Sequence, residues 1–290
     1  MDRAKILTSV AILAVSIVSS SCSRAPAIVV GSKNFTEQVL LGEILAQQIE
    51  RRLNVRVIRK LDLGGTLIAH EALVGGSIDL YPEYTGTSLT AILKRPASSD
   101  TPATFAAVRD AYRKQWRLEW LDPFGFNNTF AMIVRREERL TTLSAAAAAH
   151  AWRLGAGYEF RQRPDGLDGL LRTYPLRLTG EPAIMDLGLL YSALQSRQVD
   201  LIAANSTDGQ ISVRNVTVLE DDRHYFPPYE CAVVVRQDAL GRFPSLRGAL
   251  GELSGKFPEG VMRQLNYQVD GKHQRPADVA SAFLRTVSPR

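Results

Sequence analysis

Cysteine is almost missing from this chain: 290 residues contain two, Cys22 and Cys231, so no disulfide framework holds the fold. Histidine is scarce too, and none of the four (His70, His150, His224, His273) falls in an HExxH or other metal-ligand spacing. No GxSxG elbow, P-loop or GxGxxG opens a helix, and "DLGGT" (62–66) reads as a tight connection rather than a phosphate cradle. No catalytic set assembles, which speaks against an enzyme, and no cofactor or metal is expected. There is also no basic block. The net charge is +5 and the pI about 9.3, but Lys and Arg are interspersed with Asp and Glu, so the excess reads as a solvated surface rather than a nucleic-acid footprint.

What is present is an ordinary globular composition, 45% hydrophobic and 22% charged, with ample material for a core. The first residues stand apart: "MDRAK" is followed by "ILTSVAILAVSIVSS", apolar or small, and then Cys22. That pattern predicts a secretory signal over 1–22, too short and too small in its side chains for a membrane span. The cysteine just after it resembles a bacterial lipoprotein cleavage box, though "SSSC" lacks the usual leucine three residues before the cysteine. Lipidation of Cys22 would anchor the mature chain to a membrane. Cys231, in "CAVVV", reads as a buried thiol on a strand.

Beyond the signal, strand and helix patterns alternate. "AIVVGS" is a short apolar strand, and "NFTEQVLLGEILAQQIERRL" repeats apolar residues at Leu41, Leu45 and Ile49 with helical spacing. Asn34 followed by Glu37 reads as a capping box. "VRVIRKL", "SIDLY", "TFAMIVR", "RLGAGYEF", "VDLIAAN" and "CAVVVR" read as further strands, with helices predicted between them, among them "TLIAHEAL", "LSAAAAAHAW", "LDGLLRTY" and "PAIMDLGLLYSALQSRQ". This order implies parallel sheets with ligand loops at the strand ends. One such loop is expected at "DLYPEYTGTS" (79–88), where Pro82 and Gly86 break regular structure and place Tyr81 and Tyr84 on a bend.

The polar segments "GSKNFTEQ" (31–38), "YPEYTGT" (81–87), "FGFNNTFAM" (124–132), "EFRQRPDG" (159–166), "NSTDGQI" (205–211) and "LEDDRHYFPPYE" (219–230), taken in order, resemble the substrate-binding proteins of ABC importers for glycine betaine, choline and other quaternary amines. The resemblance runs from about Ile28 to the last predicted helix. It implies an α/β, type II periplasmic-binding-protein fold: two lobes, each a mainly parallel sheet flanked by helices, a two-stranded hinge, and a ligand cleft between them. Lobe 1 would span 27–127 with 229–290, and lobe 2 would span 128–228. It also implies an extracytoplasmic, monomeric chain partnered by an ABC permease and its ATPase.

The resemblance further implies an aromatic cage for the ammonium. Tyr84 and Tyr229 occupy family tyrosine positions, Phe130 stands where a tyrosine is usual in NNTYA, and Asn205 replaces the tyrosine before STDG. A quaternary ammonium cannot donate a strong hydrogen bond, so ring faces are its natural partners, at roughly 0.5–2 kcal/mol per contact. For a betaine-type carboxylate the resemblance implies Lys33, Thr87 and Arg163, with Gln38 and Asn128 as polar contacts, Asp208 bracing its loop and Tyr81 packed beneath the cage. Phe130 and Asn205 would admit a larger or more polar compound such as carnitine or ergothioneine. A ligand sensor on the same fold, feeding no transporter, is the alternative from another class.

Overall fold

The computed structural model describes residues 26–287, so the expected signal and Cys22 lie outside it. Ten strands form two five-stranded sheets. The first has the order β2-β1-β3-β10-β4, from Ala27–Gly31 (β1), Arg56–Lys60 (β2), Leu80–Tyr84 (β3), Leu118–Trp120 (β4) and Cys231–Arg236 (β10). The second has the order β7-β6-β8-β5-β9, from Phe130–Arg135 (β5), Leu154–Ala156 (β6), Ala183–Ile184 (β7), Leu201–Asn205 (β8) and Val216–Val218 (β9).

Both sheets are mixed. Strand β1 runs parallel to β2 and β3, whereas β10 is antiparallel to β3 and β4. In the second sheet β6 is parallel to β7 and β8, and β5 antiparallel to β8 and β9. The antiparallel pairs come from β5 and β10, the strands that follow the two passages of the chain between sheets. Those passages pair with each other through an antiparallel bridge, Asn127 with Glu230, and a hydrogen bond from the Asn128 N–H to the Tyr229 carbonyl (3.1 Å).

Each sheet is covered on both faces, so its strands alternate between two cores. Along β10, Cys231, Val233 and Val235 enter one core with Leu41, Leu45 and Ile49 of the helix Thr36–Leu53 (α1), while Ala232 and Val234 enter another with Tyr81, Tyr112 and Trp120. Along β5, Met132 and Val134 face Trp152 and Leu170, and Ala131 and Ile133 face Leu190 and Leu194. The predicted periodicity of α1 and the buried thiol of Cys231 are both present.

Several local expectations differ. The bend expected at Tyr81 and Tyr84 is a strand: β3 runs straight through Pro82, which pairs with Val233. Proline is tolerated because the pairing of β3 with β1 ends at Leu80, so on that side Pro82 has no ladder bond to lose. The capping box does not form. Helix α1 starts after Phe35 with no side-chain cap, and the Glu37 carboxylate points elsewhere. "RLGAGYEF" stops being a strand at Ala156 and continues as a short helix, Tyr158–Gln162. "PAIMDLGLLYSALQSRQ" divides into β7 and a helix, Leu187–Gln195.

Candidate functional site

A cavity of about 330 Å³ lies between the two sheets. Its walls include Lys33, Tyr84, Thr87, Asn128, Phe130, Arg163, Asn205 and Tyr229, eight of the residues singled out from the sequence, drawn from segments almost two hundred residues apart. Gln38 is not among the wall residues: it is fully buried behind them and accepts the Lys33 backbone N–H through Oε1 (3.3 Å).

The aromatic groups make a corner. Phe130 and Tyr229 have ring centroids 6.0 Å apart at 71°, and Phe160 meets Phe130 edge-on at 5.0 Å. Opposite them, Phe35 stacks against Tyr84 with centroids 6.3 Å apart. Register places these rings: Phe130 heads β5 beside Asn205 of β8, and Tyr84 ends β3 beside Cys231. Gly86 allows the hinge segment close, since a Cβ there would come within 2.6 Å of the Pro228 carbonyl and 2.8 Å of the Tyr229 ring.

Both cations of the site are already engaged. Lys33 Nζ donates to Glu83 Oε1 (2.5 Å) and to Thr66 Oγ1 (3.1 Å), and lies 4.9 Å from the Tyr84 ring centre. Glu83 also accepts from the Tyr81 hydroxyl (2.8 Å), which fixes Tyr81 beneath the site. The Arg163 guanidinium makes a two-point contact with Asp165 (2.9 and 2.5 Å), donates to Thr87 Oγ1 (3.0 Å), and packs 5.0 Å from the centre of Phe130. Burial favours the protonated form of Asp165, but the bonds from Arg163 prevail and hold its carboxyl below the usual range.

Two carboxylates that the sequence reading did not single out complete the walls, Glu159 and Asp186. Glu159, on the second-sheet side, accepts from the Thr66 N–H (2.5 Å) and Thr66 Oγ1 (3.1 Å), so it caps the helix Thr66–Val74 (α2) from across the cleft. Gly65 makes this possible: a Cβ would sit 2.8 Å from Glu159 Oε1. Burial pushes the Glu159 carboxyl up, yet the charges of Lys33 and Arg163 together with the Thr66 bonds bring it below its ordinary value. The "GG" of the weak glycine turn was the available signal, but a cap supplied ninety-three residues later leaves no local pattern.

Behind the aromatic corner sits Glu37, 3% exposed. Its Oε1 accepts from the Tyr84 hydroxyl (2.7 Å) and Asn128 Nδ2 (2.9 Å), and its Oε2 accepts from Thr207 Oγ1 (2.6 Å) and Asn266 Nδ2 (3.0 Å). Among the described residues no cation bonds to it, and burial raises its carboxyl even against these four donors. Asn128 Oδ1, by contrast, has no partner among the described residues. Asp208 braces its own loop, as expected, by accepting from the Asn205 N–H (3.1 Å) and the Tyr191 hydroxyl (3.2 Å). Among the described residues no group of histidine, cysteine and carboxylate side chains is arranged to hold a metal.

The contacts of Glu159 with Thr66, of Arg163 with Thr87, of Asp165 with Thr90 (2.9 Å) and of Glu37 with Thr207 all join one sheet's segments to the other's across the cavity. The arrangement is a two-lobed clamp whose lobes meet around a cavity of small-molecule size.

Comparison with known proteins agrees. Residues 26–286 match the family described as the substrate binding domain of ABC-type glycine betaine transport systems. The chain is 31% identical to a carnitine transport binding protein of Listeria monocytogenes, over 96% of this chain and 95% of that one. It is 32% identical to a glycine-betaine-binding protein of Pseudomonas aeruginosa, over 97% and 94%. An ergothioneine transport permease/ergothioneine binding protein of Helicobacter pylori is 32% identical over 89% of this chain, which spans 47% of that longer protein. A solved glycine betaine/carnitine/choline ABC transporter structure superimposes with a TM-score of 0.75 at 31% identity, covering 89% of this chain and 98% of that one. The type II two-lobed fold, the clamp and the matched family together make this chain a member of the substrate-binding proteins of ABC-type glycine betaine transport systems.

Proposed function

We propose that the protein captures a quaternary-ammonium compound outside the cytoplasm and delivers it to an ABC permease driven by its ATPase. The observation that carries this reading is the combination of aromatic corner and charge balance. Lys33 and Arg163 bring two positive charges against four carboxylates, Glu83, Asp165, Glu159 (3.6 Å from Arg163) and Asp186, so the balance of the site is negative. Such a site favours a ligand bearing positive charge, held by ring faces instead of hydrogen bonds. Tyr84, Phe130 and Tyr229 form the cage, and Thr87 and Arg163 tie the lobes together around it. Gln38 supports the Lys33 loop from behind.

Asn205 adds an amide to the wall where the family resemblance places a ring, which favours ligands with polar groups beyond the ammonium, ergothioneine included.

The lobes are 27–127 with 229–290 and 128–228, hinged at the paired crossing segments, and ligand contacts from both stabilise the clamped form. We place the chain at the outer face of a membrane as a monomer, held by a lipid on Cys22 after loss of the signal. Among the described residues no helix is long and apolar enough to cross a membrane.

A thermal-shift panel tests the reading, using choline, carnitine, glycine betaine and ergothioneine on the mature chain. Ligand at about a hundred times its Kd adds roughly 2.7 kcal/mol, so the true ligand raises Tm by several degrees. A flat panel would refute the quaternary-ammonium reading.

A further inference from the structure

Helix α2 begins without a cap of its own, because its N-cap is Gly65, which has no side chain to offer. The oxygens that take that place come from the opposite lobe: Glu159 accepts the Thr66 N–H at Oε1 (2.5 Å) and the Thr66 hydroxyl at Oε2 (3.1 Å). Filling a helix N-terminus with a carboxylate is favourable, both for the donors it satisfies and for the dipole it meets. Here that gain exists only while the two lobes are together.

Two further observations make the contact a clasp. Thr66 Oγ1 also accepts from Lys33 Nζ (3.1 Å), so one hydroxyl receives from a wall cation and donates to a wall carboxylate, and the cavity wall and the helix end form one chain of bonds. The contact can also let go. The Glu159 side chain is 39% exposed, against 2% for Asp165, whose bond to Thr90 also crosses the cleft, so water can replace the Thr66 donors when the lobes part.

We propose that Glu159 is a positioning residue for ligand capture: by capping α2 from the opposite lobe it favours the closed form directly, and so raises the affinity for every ligand by one common factor without choosing among them. Apparent affinity scales with the population of the binding-competent form, and whatever stabilises that form multiplies all binding constants alike. The effect on affinity rests on the quaternary-ammonium reading of the cavity, whereas the clasp itself rests on the bonds between the lobes.

The test is calorimetric titration of the mature chain with choline, carnitine, glycine betaine and ergothioneine. Glu159→Ala should weaken every ligand that the wild-type chain binds by the same factor, about fivefold, the loss that removal of a helix cap gives. Gly65→Ser supplies α2 with its own cap and sets a Cβ 2.8 Å from Glu159 Oε1. It should weaken the same ligands alike without lowering the Tm of the ligand-free chain, which a merely stabilising bond would not do, and it serves as the second variant should Glu159→Ala not fold. Affinities unchanged in both variants, or a loss that falls on some ligands and spares others, would overturn the clasp. If the wild-type chain binds none of the four compounds, the reading of the cavity fails instead, and small-angle scattering of the ligand-free chains decides the clasp: both variants should be more extended than the wild type, and identical profiles would overturn it.

Discussion

Two of the carboxylates that join the lobes, Asp165 and Glu37, solve the same problem in opposite ways. Asp165 lies against a cation and accepts from Arg163, Tyr229 and Thr90. Glu37 accepts from four neutral groups and, among the described residues, has no cation bonded to it. The first is a charge cancelled by a charge, and its carboxyl stays below the normal range; the second is a charge held by dipoles, and burial pushes its carboxyl up. Direct cancellation costs dearly when one partner goes. Dipolar solvation spreads the loss over several weaker bonds, but leaves the region open to any nearby charge.

The comparison breaks most visibly at Asp165. Asp165→Ala takes the two-point partner from the buried Arg163 guanidinium and leaves it only the longer contact with Glu159 (3.6 Å), so chemical denaturation should show a loss of about 3–5 kcal/mol, much of it recovered when Arg163 is also replaced by methionine. Glu37→Gln keeps the shape but turns a donor toward donors, and the same measurement should give a loss of about 1–3 kcal/mol. A larger loss for Glu37→Gln than for Asp165→Ala would reverse the ranking argued above.

Phe130→Ala removes the ring on which Arg163 rests at 5.0 Å as well as one face of the proposed cage. It should weaken binding of the quaternary ligand by roughly 0.5–2 kcal/mol in calorimetry, with a smaller effect on stability than Asp165→Ala. The smallest effect concerns pH and the uncompensated side. Asp208, raised to about 7, binds its proton more tightly in the folded chain than in the unfolded one. Its contribution is therefore full below the ordinary carboxylate range and fades as pH rises through about 7. Thermal melts should show a modest decline in Tm across that window, flattened in Asp208→Asn.

Much of the fold was legible because it is written in local periodicity: the alternation of Ala232 and Val234 against Cys231, Val233 and Val235, and the stripe of Leu41, Leu45 and Ile49, each follow from the spacing of apolar residues. Most of the cavity wall was legible only through resemblance, since nothing local distinguishes Thr87 or Asn128 from ordinary loop residues. Glu37 and Glu159 were hidden for a physical reason. Glu37 satisfied a local rule, the capping box, and tertiary donors outbid it; Glu159 looks like any surface glutamate until folding brings Thr66 to it. Pro82 misled because a missing N–H matters only where a neighbouring strand continues, and β1 does not continue that far.

The position of β10 has a consequence for the order of assembly. It lies between β3 and β4, yet it is the last strand among the described residues, following the whole second sheet through the paired crossing at Asn127 and Glu230. Until it docks, β4 has no neighbour and one flank of β3 is bare. The first sheet is thus completed only by contacts of high sequence separation, the kind that slow a folding reaction.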